Sequence, residues 1–218
     1  MTERLQNVTV TKPIVLGTFS FLQQPGATEK APSLYRWTLL LRSATDPCEN
    51  MSYYIRSVEF TLHSTFTQPK RIVDQPPYQV TAVGWGEFEI LVKVFFHDSQ
   101  ERPVELRHFL KLRPDIELTN SPSFDHASTP VVKESYEEII FQSPHEWFYE
   151  KLIRPAPEPL PQHYLAPYFK SFNDLEEFEK LTEIQTFLRS HLLQQAEHLM
   201  MLDNEYRAQK ELVNRSSA

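Results

Sequence analysis

Cysteine is almost absent from this sequence of 218 residues, since Cys48 is the single one. One cysteine excludes a disulfide within the chain and any zinc site built mainly from thiolates. No apolar run approaches the roughly 18 residues of a membrane-spanning helix. The first residues, Met1 to Gln6, also lack the apolar stretch of a targeting peptide. We therefore expect a soluble protein of a reducing, intracellular compartment.

Glycine is the second scarce residue, with four in the chain against 17 prolines. A phosphate-binding loop needs several closely spaced glycines, and here only Gly84 and Gly86 lie near each other. The P-loop and the dinucleotide-binding fingerprint are therefore excluded. Because glycine lets the backbone pass close to another group, this pair marks a candidate site.

Residues typical of catalysis and of metal binding are present but scattered. The eight histidines form no His-x-x-x-His pair, and Ser64 does not stand in a Gly-x-Ser-x-Gly elbow. His97-Asp98 is interpreted as a solvated turn after a strand. The net charge of −7 lies mainly after residue 113, and no basic run is long enough to bind nucleic acid. We expect no catalytic residue, metal, cofactor, membrane contact or sequence-specific nucleic-acid contact, and thus no enzyme.

The segment from about Asn7 to Leu112 has the pattern of β-strands. Apolar residues alternate most regularly from Phe88 to Phe96, as in a half-buried strand. Turn-forming residues separate the strands, at Pro25-Gly26, Asp46-Pro47, Pro76-Pro77 and Asp98-Ser99. Such short strands favour an immunoglobulin-like antiparallel β-sandwich, and a barrel is the alternative that their spacing leaves open.

The rest of the chain changes character three times. Residues 114–130 have a loop composition, and Val131 to Phe141 is strand-like before a short helix near His145–Leu152. Five prolines then fall between positions 155 and 167, which disfavours helix and predicts an extended, semi-rigid spacer. We expect a mainly β domain over 1–150, a proline-rich linker over 151–170 and a helical region over 171–218.

The last region has the periodicity of a long amphipathic helix. Asn173-Asp174 offers an N-cap, and apolar residues follow at spacings of three and four, among them Leu181, Ile184, Leu188, Leu192, Leu199 and Leu202. Gln195 falls at a seam position. The apolar stripe is either packed back onto the sandwich or covered by another chain in a coiled coil, and the proline-rich spacer favours the coiled coil.

Two segments at predicted strand ends hold the candidate binding residues. One contains His63, Thr65 and Phe66, and the other runs Gly84-Trp85-Gly86-Glu87-Phe88. Each supplies aromatic side chains, and the first adds a hydroxyl and an imidazole. From the pattern alone, Phe66 and Trp85 are somewhat better explained as core residues, and the glycines could serve a tight turn or a bulge.

Several separated motifs occur in the order found in YEATS domains, which residues 7 to 140 resemble. They are Trp37-Thr38, Val58-Glu59-Phe60-Thr61-Leu62-His63, Pro69, Pro76-Pro77-Tyr78, Gly84-Trp85-Gly86-Glu87-Phe88-Glu89-Ile90 and Phe95-Phe96. Two further stretches, Val10-Thr11-Lys12-Pro13-Ile14-Val15 and Glu101-Arg102-Pro103-Val104, resemble one branch of the family. That branch carries a C-terminal coiled coil and is shared by a Swr-type chromatin remodeller and a nucleosomal histone H4 acetyltransferase complex.

The resemblance implies a nuclear, non-catalytic reader of acylated lysine on histone H3 tails. Phe66 and Trp85 would hold the flat acyl-amide between their rings, and the Thr65 hydroxyl and backbone N–H groups around Trp85 and Gly86 would bond to it. His63 would support the first loop. The other pocket residues would be Gly84, Glu87 and Phe88.

Two positions depart from the family pattern, and one alternative function remains. Thr65 stands where serine is frequent, and Tyr35 stands where relatives of this branch often carry histidine. A preference for acidic acyl groups is therefore not carried over. Remodeller and acetyltransferase subunits would bind the C-terminal helix. The alternative is a scaffold or histone-chaperone-like module without acyl-lysine recognition.

Overall fold

The computed structural model describes residues 3–24, 33–114, 129–154, 156–172 and 174–216. The turn predicted at Pro25-Gly26 and most of the loop predicted over 114–130 lie outside these residues. Contacts divide the chain into two compact units, Met1–Lys170 and Ser171–Ala218.

The first unit contains two four-stranded sheets whose neighbouring strands are all antiparallel. In chain order the strands are β1 (Thr9–Gln24), β2 (Leu34–Ser43), β3 (Ile55–Thr61), β4 (Lys70–Val73), β5 (Tyr78–Gly84), β6 (Glu89–Phe96), β7 (Val104–Phe109) and β8 (Val131–Gln142). One sheet has the order β5-β2-β1-β8 and the other the order β4-β3-β6-β7. Within the described residues neither sheet closes on itself, so the predicted sandwich is confirmed and the barrel alternative is wrong.

The core lies between the two sheets because each strand presents alternate side chains to it. On β6 the residues Ile90, Val92 and Val94 are fully buried, as the alternating pattern predicts. The register of β2 with β5 sets Trp37 opposite Ala82 and Tyr35 opposite Gly84. Trp37 and Tyr35 are therefore among the last core residues at this end of the sheet.

The proline-rich segment packs on the sandwich. Leu165 is fully buried in a second apolar cluster with Phe19 and Leu40, which lie on the face of the first sheet opposite the main core. Within residues 156–170 the only regular element is a short 3-10 helix, Ala166–Tyr168. The prolines thus prevent a longer helix, as expected, but the segment covers a sheet face where the sequence suggests a free spacer.

A buried ion pair fixes the end of this segment. The Arg42 guanidinium lies 3.0 Å from a Glu134 carboxylate oxygen, and both side chains are almost completely buried. Arg42 also donates to the Lys170 carbonyl, and the Lys170 N–H donates to Glu134. The Phe169 ring stacks on the guanidinium with its centroid 4.5 Å away. Residues 169–170 are therefore held by β2 and β8 together.

Asp98 corrects the interpretation of His97-Asp98 as a solvated turn. Asp98 is buried, and its carboxylate lies 2.6 Å from His145 Nδ1. Glu101 lies close to both and pairs with Arg4 at 3.0 Å. These three could hold a metal ion by their spacing, but each already faces a protein partner. The cluster joins the first residues and the start of helix α1 (Glu146–Ile153) to the sandwich.

The second unit is one long helix, α2 (Asp174–Ser216), which confirms the predicted C-terminal helix. Apolar side chains along it are more than two-fifths exposed, including Leu181, Ile184, Leu188, Leu192, Leu199, Leu202 and Tyr206. Among the described residues, no helix combines the length and the apolar character needed to cross a membrane.

Candidate functional site

Two loops meet at one end of the sandwich, and together with Gly84 at the end of β5 they carry all the predicted site residues. The first connects β3 to β4 within one sheet, and the second crosses from β5 in one sheet to β6 in the other. The Leu62 N–H donates to the Pro69 carbonyl at 2.7 Å, which closes the first loop at its base. The candidate site therefore lies where the gap between the two sheets opens to solvent.

An aromatic cluster lines this opening. The Phe66 and Phe88 ring centroids are 5.7 Å apart, and each lies 6.1 Å from the Trp37 ring in an edge-on arrangement. The His63 ring lies 5.9 Å from Phe88. Edge-on aromatic contacts of this kind fix ring orientation. Three predicted residues, His63, Phe66 and Phe88, are thus brought together on a buried tryptophan.

His63 orients the Thr65 hydroxyl. The Thr65 hydroxyl lies 3.0 Å from His63 Nδ1, and the Thr65 N–H lies 3.4 Å from the same nitrogen. In the tautomer that carries its proton on Nε2, His63 Nδ1 accepts from both groups, and the Thr65 hydroxyl is then a donor. Its oxygen lone pairs are left to accept a hydrogen bond from a guest.

Gly84, at the end of β5, and Gly86, in the second loop, have different surroundings. A Cβ added to Gly84 would lie 3.7 Å from Phe66 Cζ and 3.6 Å from Trp37 Nε1, whereas one added to Gly86 would meet nothing within 4 Å. No glycine among the described residues has a positive φ. Gly84 therefore keeps a space open beside the aromatic cluster, and neither position is explained by a backbone conformation that only glycine adopts.

Glu87 holds the second loop in place rather than facing a guest. Its Oε1 atom accepts the N–H groups of Leu112 at 2.8 Å and Arg113 at 3.0 Å. The Leu110 N–H donates to the Phe88 carbonyl at 2.9 Å. Residues 87–88 are thus anchored to the segment that follows β7. Sequence reasoning could not find these contacts because they join residues more than 20 positions apart.

Trp85 projects from the second loop with its side chain 60% exposed. This exposure is incompatible with the core interpretation of Trp85. Phe66 by contrast is half-buried and packs against the core, so for this residue both interpretations hold in part. No ring contact joins Phe66 to Trp85 in the part of the chain that the structure describes.

Trp37 is the site residue whose role the sequence analysis did not identify. Trp37-Thr38 is one of the motifs, but the contacts of Trp37 with Phe66 and Phe88 follow only from the register of β2 with β5. The sequence offered one indication, the two-residue spacing of Tyr35 and Trp37, which places both side chains on the same face of a strand.

Comparisons with known proteins agree with this architecture. Residues 32–114 match the model of the YEATS family. The chain is 30% identical to the transcription initiation factor TFIID subunit 14b of Arabidopsis thaliana, over 93% of this chain and 83% of that protein. It is 36% identical to the AF-9 homolog of Eremothecium gossypii, over 74% of this chain and 76% of that protein.

A solved structure shares both the fold and part of the sequence. The crystal structure of the Yaf9 YEATS domain bound to H3K27ac superposes with a TM-score of 0.55 at 30% identity. The match covers 69% of this chain and 97% of that one. With relatives at this identity along most of their length, the chain belongs to the YEATS family.

Proposed function

We propose that the sandwich of this protein binds acylated lysine on histone H3 tails as a non-catalytic reader. The observation that carries the proposal is the pair of loops at one sandwich end, with Phe66 on one and an exposed Trp85 on the other. The Yaf9 YEATS domain bound to H3K27ac supports the choice of ligand.

A flat guest sets the separation that the two rings would need. Two rings that hold a planar amide between them must lie about 7 Å apart, twice a van der Waals contact of about 3.5 Å. Such rings do not touch each other. Among the described residues no ring contact joins Phe66 to Trp85, as this arrangement requires, and an acyl-amide between them would cover both ring faces.

The hydrogen-bonding groups complement an amide. The Thr65 hydroxyl, donating to His63 Nδ1, has lone pairs for the amide N–H of the modified lysine. Backbone N–H groups near Trp85 and Gly86 are the proposed donors to the amide oxygen. Each neutral hydrogen bond contributes about 1 kcal/mol net, and each aromatic contact a similar amount.

Charge explains why acylation would decide binding. An unmodified lysine brings an ammonium group, whose removal from water is costly without a carboxylate partner. Glu87, the one acid in the two loops, is already occupied by the N–H groups of Leu112 and Arg113. Acylation removes the charge, so we expect acylated H3 peptides to bind at least about tenfold more tightly, or roughly 1.4 kcal/mol.

The test is a calorimetric titration of the whole protein with matched acetylated, crotonylated and unmodified H3 peptides. Trp85→Ala should lose the acylated peptide while the unfolding midpoint stays within experimental error of wild type. Ile140→Ala is the matched control, because Ile140 is a similarly exposed apolar side chain on β8. Equal binding of acylated and unmodified peptides would leave the scaffold function.

We further propose that α2 joins the protein to chromatin-remodelling and histone-acetyltransferase assemblies in the nucleus. The exposed stripe from Leu181 to Tyr206 supports this, since apolar side chains at spacings of three and four favour a partner helix. Deleting residues 171–218 should abolish co-purification of those subunits from nuclei without changing peptide affinity. Unchanged co-purification would assign the assembly contact to the sandwich.

A further inference from the structure

Trp37 carries a buried donor that the fold does not use. Its side chain is fully buried, and its Nε1 atom is the single buried side-chain nitrogen or oxygen without a hydrogen-bond partner in the described part of the chain. Burying an indole N–H without an acceptor lowers stability, and native proteins keep few such groups. An unpaired donor at a binding site therefore calls for an explanation in terms of a ligand.

This donor lies beside two residues of the candidate site. The Gly84 Cβ position lies 3.6 Å from Trp37 Nε1 and 3.7 Å from Phe66 Cζ, with no nearer protein atom outside the adjoining residues. Gly84 stands opposite Tyr35 on the core-facing side of the sheet. The indole nitrogen thus lies beside Gly84 and the edge of the Phe66 ring, closed to solvent. A guest that enters between the two loops and displaces this ring edge would meet the N–H group.

We propose that Trp37 Nε1 donates a hydrogen bond to a neutral oxygen carried by the acyl chain beyond its amide. The site would then favour acyl groups with a ketone or similar acceptor over purely hydrocarbon chains of equal length. This inference rests on the proposed acyl-lysine function and assigns a specificity-determining residue to it.

The chemistry of the surroundings sets the class of acyl group. An indole N–H donates and cannot accept, so it selects an acceptor. Its ring neighbours, Phe66 and Phe88, are apolar. A carboxylate there would be buried with one N–H as its partner, which is costly. A ketone oxygen accepts without bringing a charge or a second donor that needs satisfying.

The test compares acyl pairs that differ by one oxygen. The whole protein is titrated with H3 peptides carrying 3-oxobutyryl- or butyryl-lysine, and 4-oxopentanoyl- or pentanoyl-lysine, so that two depths are sampled. For at least one pair we expect the oxo form to bind about five- to tenfold more tightly. Replacing Trp37 by 3-benzothienyl-L-alanine, which exchanges N–H for sulfur with little change of shape, should reduce this ratio to about one.

Stability provides a second readout of the same group. Because Nε1 has no partner in the free protein, replacing the N–H group by sulfur should leave the unfolding midpoint unchanged or raise it. A lowered midpoint would show that the donor is already satisfied and would overturn the proposal.

Two glycine variants keep the proposal testable if the tryptophan analogue does not fold. Gly84→Ala fills the volume beside Nε1 at ordinary contact distances, so it should fold and abolish the oxo preference. Gly86→Ala adds the same methyl group at a position where nothing lies within 4 Å. Its affinity for both peptides can change, but the ratio of oxo to hydrocarbon affinity should remain that of wild type.

The outcomes separate this inference from the proposed function. One outcome is that acylated peptides bind but no pair shows an oxo preference; another is that the sulfur analogue weakens binding of the oxo and hydrocarbon forms equally. In either case Nε1 does not bind an acyl-chain oxygen, and this inference is overturned while the proposed function stands. If no acylated peptide binds better than the unmodified one, the proposed function fails and the inference with it.

Discussion

The sandwich and helix α2 treat their apolar residues in opposite ways. The sandwich buries side chains such as Phe60 and Val92 completely between its own sheets. Along α2, Leu188 and Leu192 remain more than half exposed although they repeat at helical spacing. A segment that buries its own apolar surface can be stable alone, whereas an isolated amphipathic helix gains little from its stripe. The sandwich thus contains its own core, whereas α2 leaves its apolar stripe exposed.

The largest expected effect comes from truncating one apolar residue in each region. Phe60→Ala should lower the free energy of unfolding by about 3–5 kcal/mol, because it leaves a cavity in the core. Leu188→Ala should change the stability of the isolated protein by less than about 0.5 kcal/mol, because Leu188 is 52% exposed. Urea unfolding followed by tryptophan fluorescence measures both. A comparable loss in the two variants would break the contrast and favour a helix that packs within this chain.

A smaller effect should show whether the segment that ends at Lys170 contributes to the stability of the sandwich. Arg42→Met leaves the buried carboxylate of Glu134 without its cation and frees the Lys170 carbonyl. We expect a loss of about 3 kcal/mol, since breaking one partner of a buried ion pair strands the other charge. The double variant Arg42→Met/Glu134→Met should recover part of that loss. If Arg42→Met costs less than about 1 kcal/mol, residues 156–170 contribute little to the domain.

The smallest effect concerns a polar group that the sandwich buries. Burial, followed by the charge of Lys133, lowers the pKa of His108 to about 4. Its ring lies 3.1 Å from the Thr18 hydroxyl and 3.4 Å from the Ser135 hydroxyl. Between pH 6.5 and 4 the unfolded chain therefore binds a proton that the folded one excludes, so stability falls as pH falls through this window.

From pH 7.5 to 5.5 this linkage should remove about 1.4 kcal/mol, roughly one pKa unit of the shift. The measurement is the free energy of unfolding at both pH values for wild type and His108→Gln. Subtracting the variant removes the contribution of other titrating groups. If wild type and variant lose the same stability on acidification, the His108 ring is protonated in the folded sandwich.

The features predicted from sequence are those with a local period or an ordered set of motifs. The alternation from Ile90 to Phe96 located β6, and the three- and four-residue spacing after Asp174 located α2. The features that escaped join distant residues. They are the contacts of Asp98 with His145, of Arg42 with Glu134 and of Glu87 with Leu112. In each case the sequence around one residue contains no pattern that identifies its partner.

The candidate site shows the same division. The motifs identified the loop residues Thr65, Phe66 and Trp85, whereas the floor formed by Trp37 depends on strand register. The prolines prevent a longer helix, as predicted, yet the packing of Leu165 against Phe19 and Leu40 depends on the outer face of a sheet. Composition restricts the backbone conformation of a segment but does not tell which surface receives it.

The anchoring of Lys170 has a mechanical meaning. Tension applied to the chain beyond residue 170 reaches the backbone that Arg42 and Glu134 hold from both sides. These two residues belong to β2 and β8, which flank β1 on its two sides. The applied force is therefore shared by three neighbouring strands. The proline-rich segment before Lys170 does not carry this force and stays attached to the sheet. A protein tethered through its helix would thus be held by its sheet, with the two loops of the candidate site left out of the path of the force.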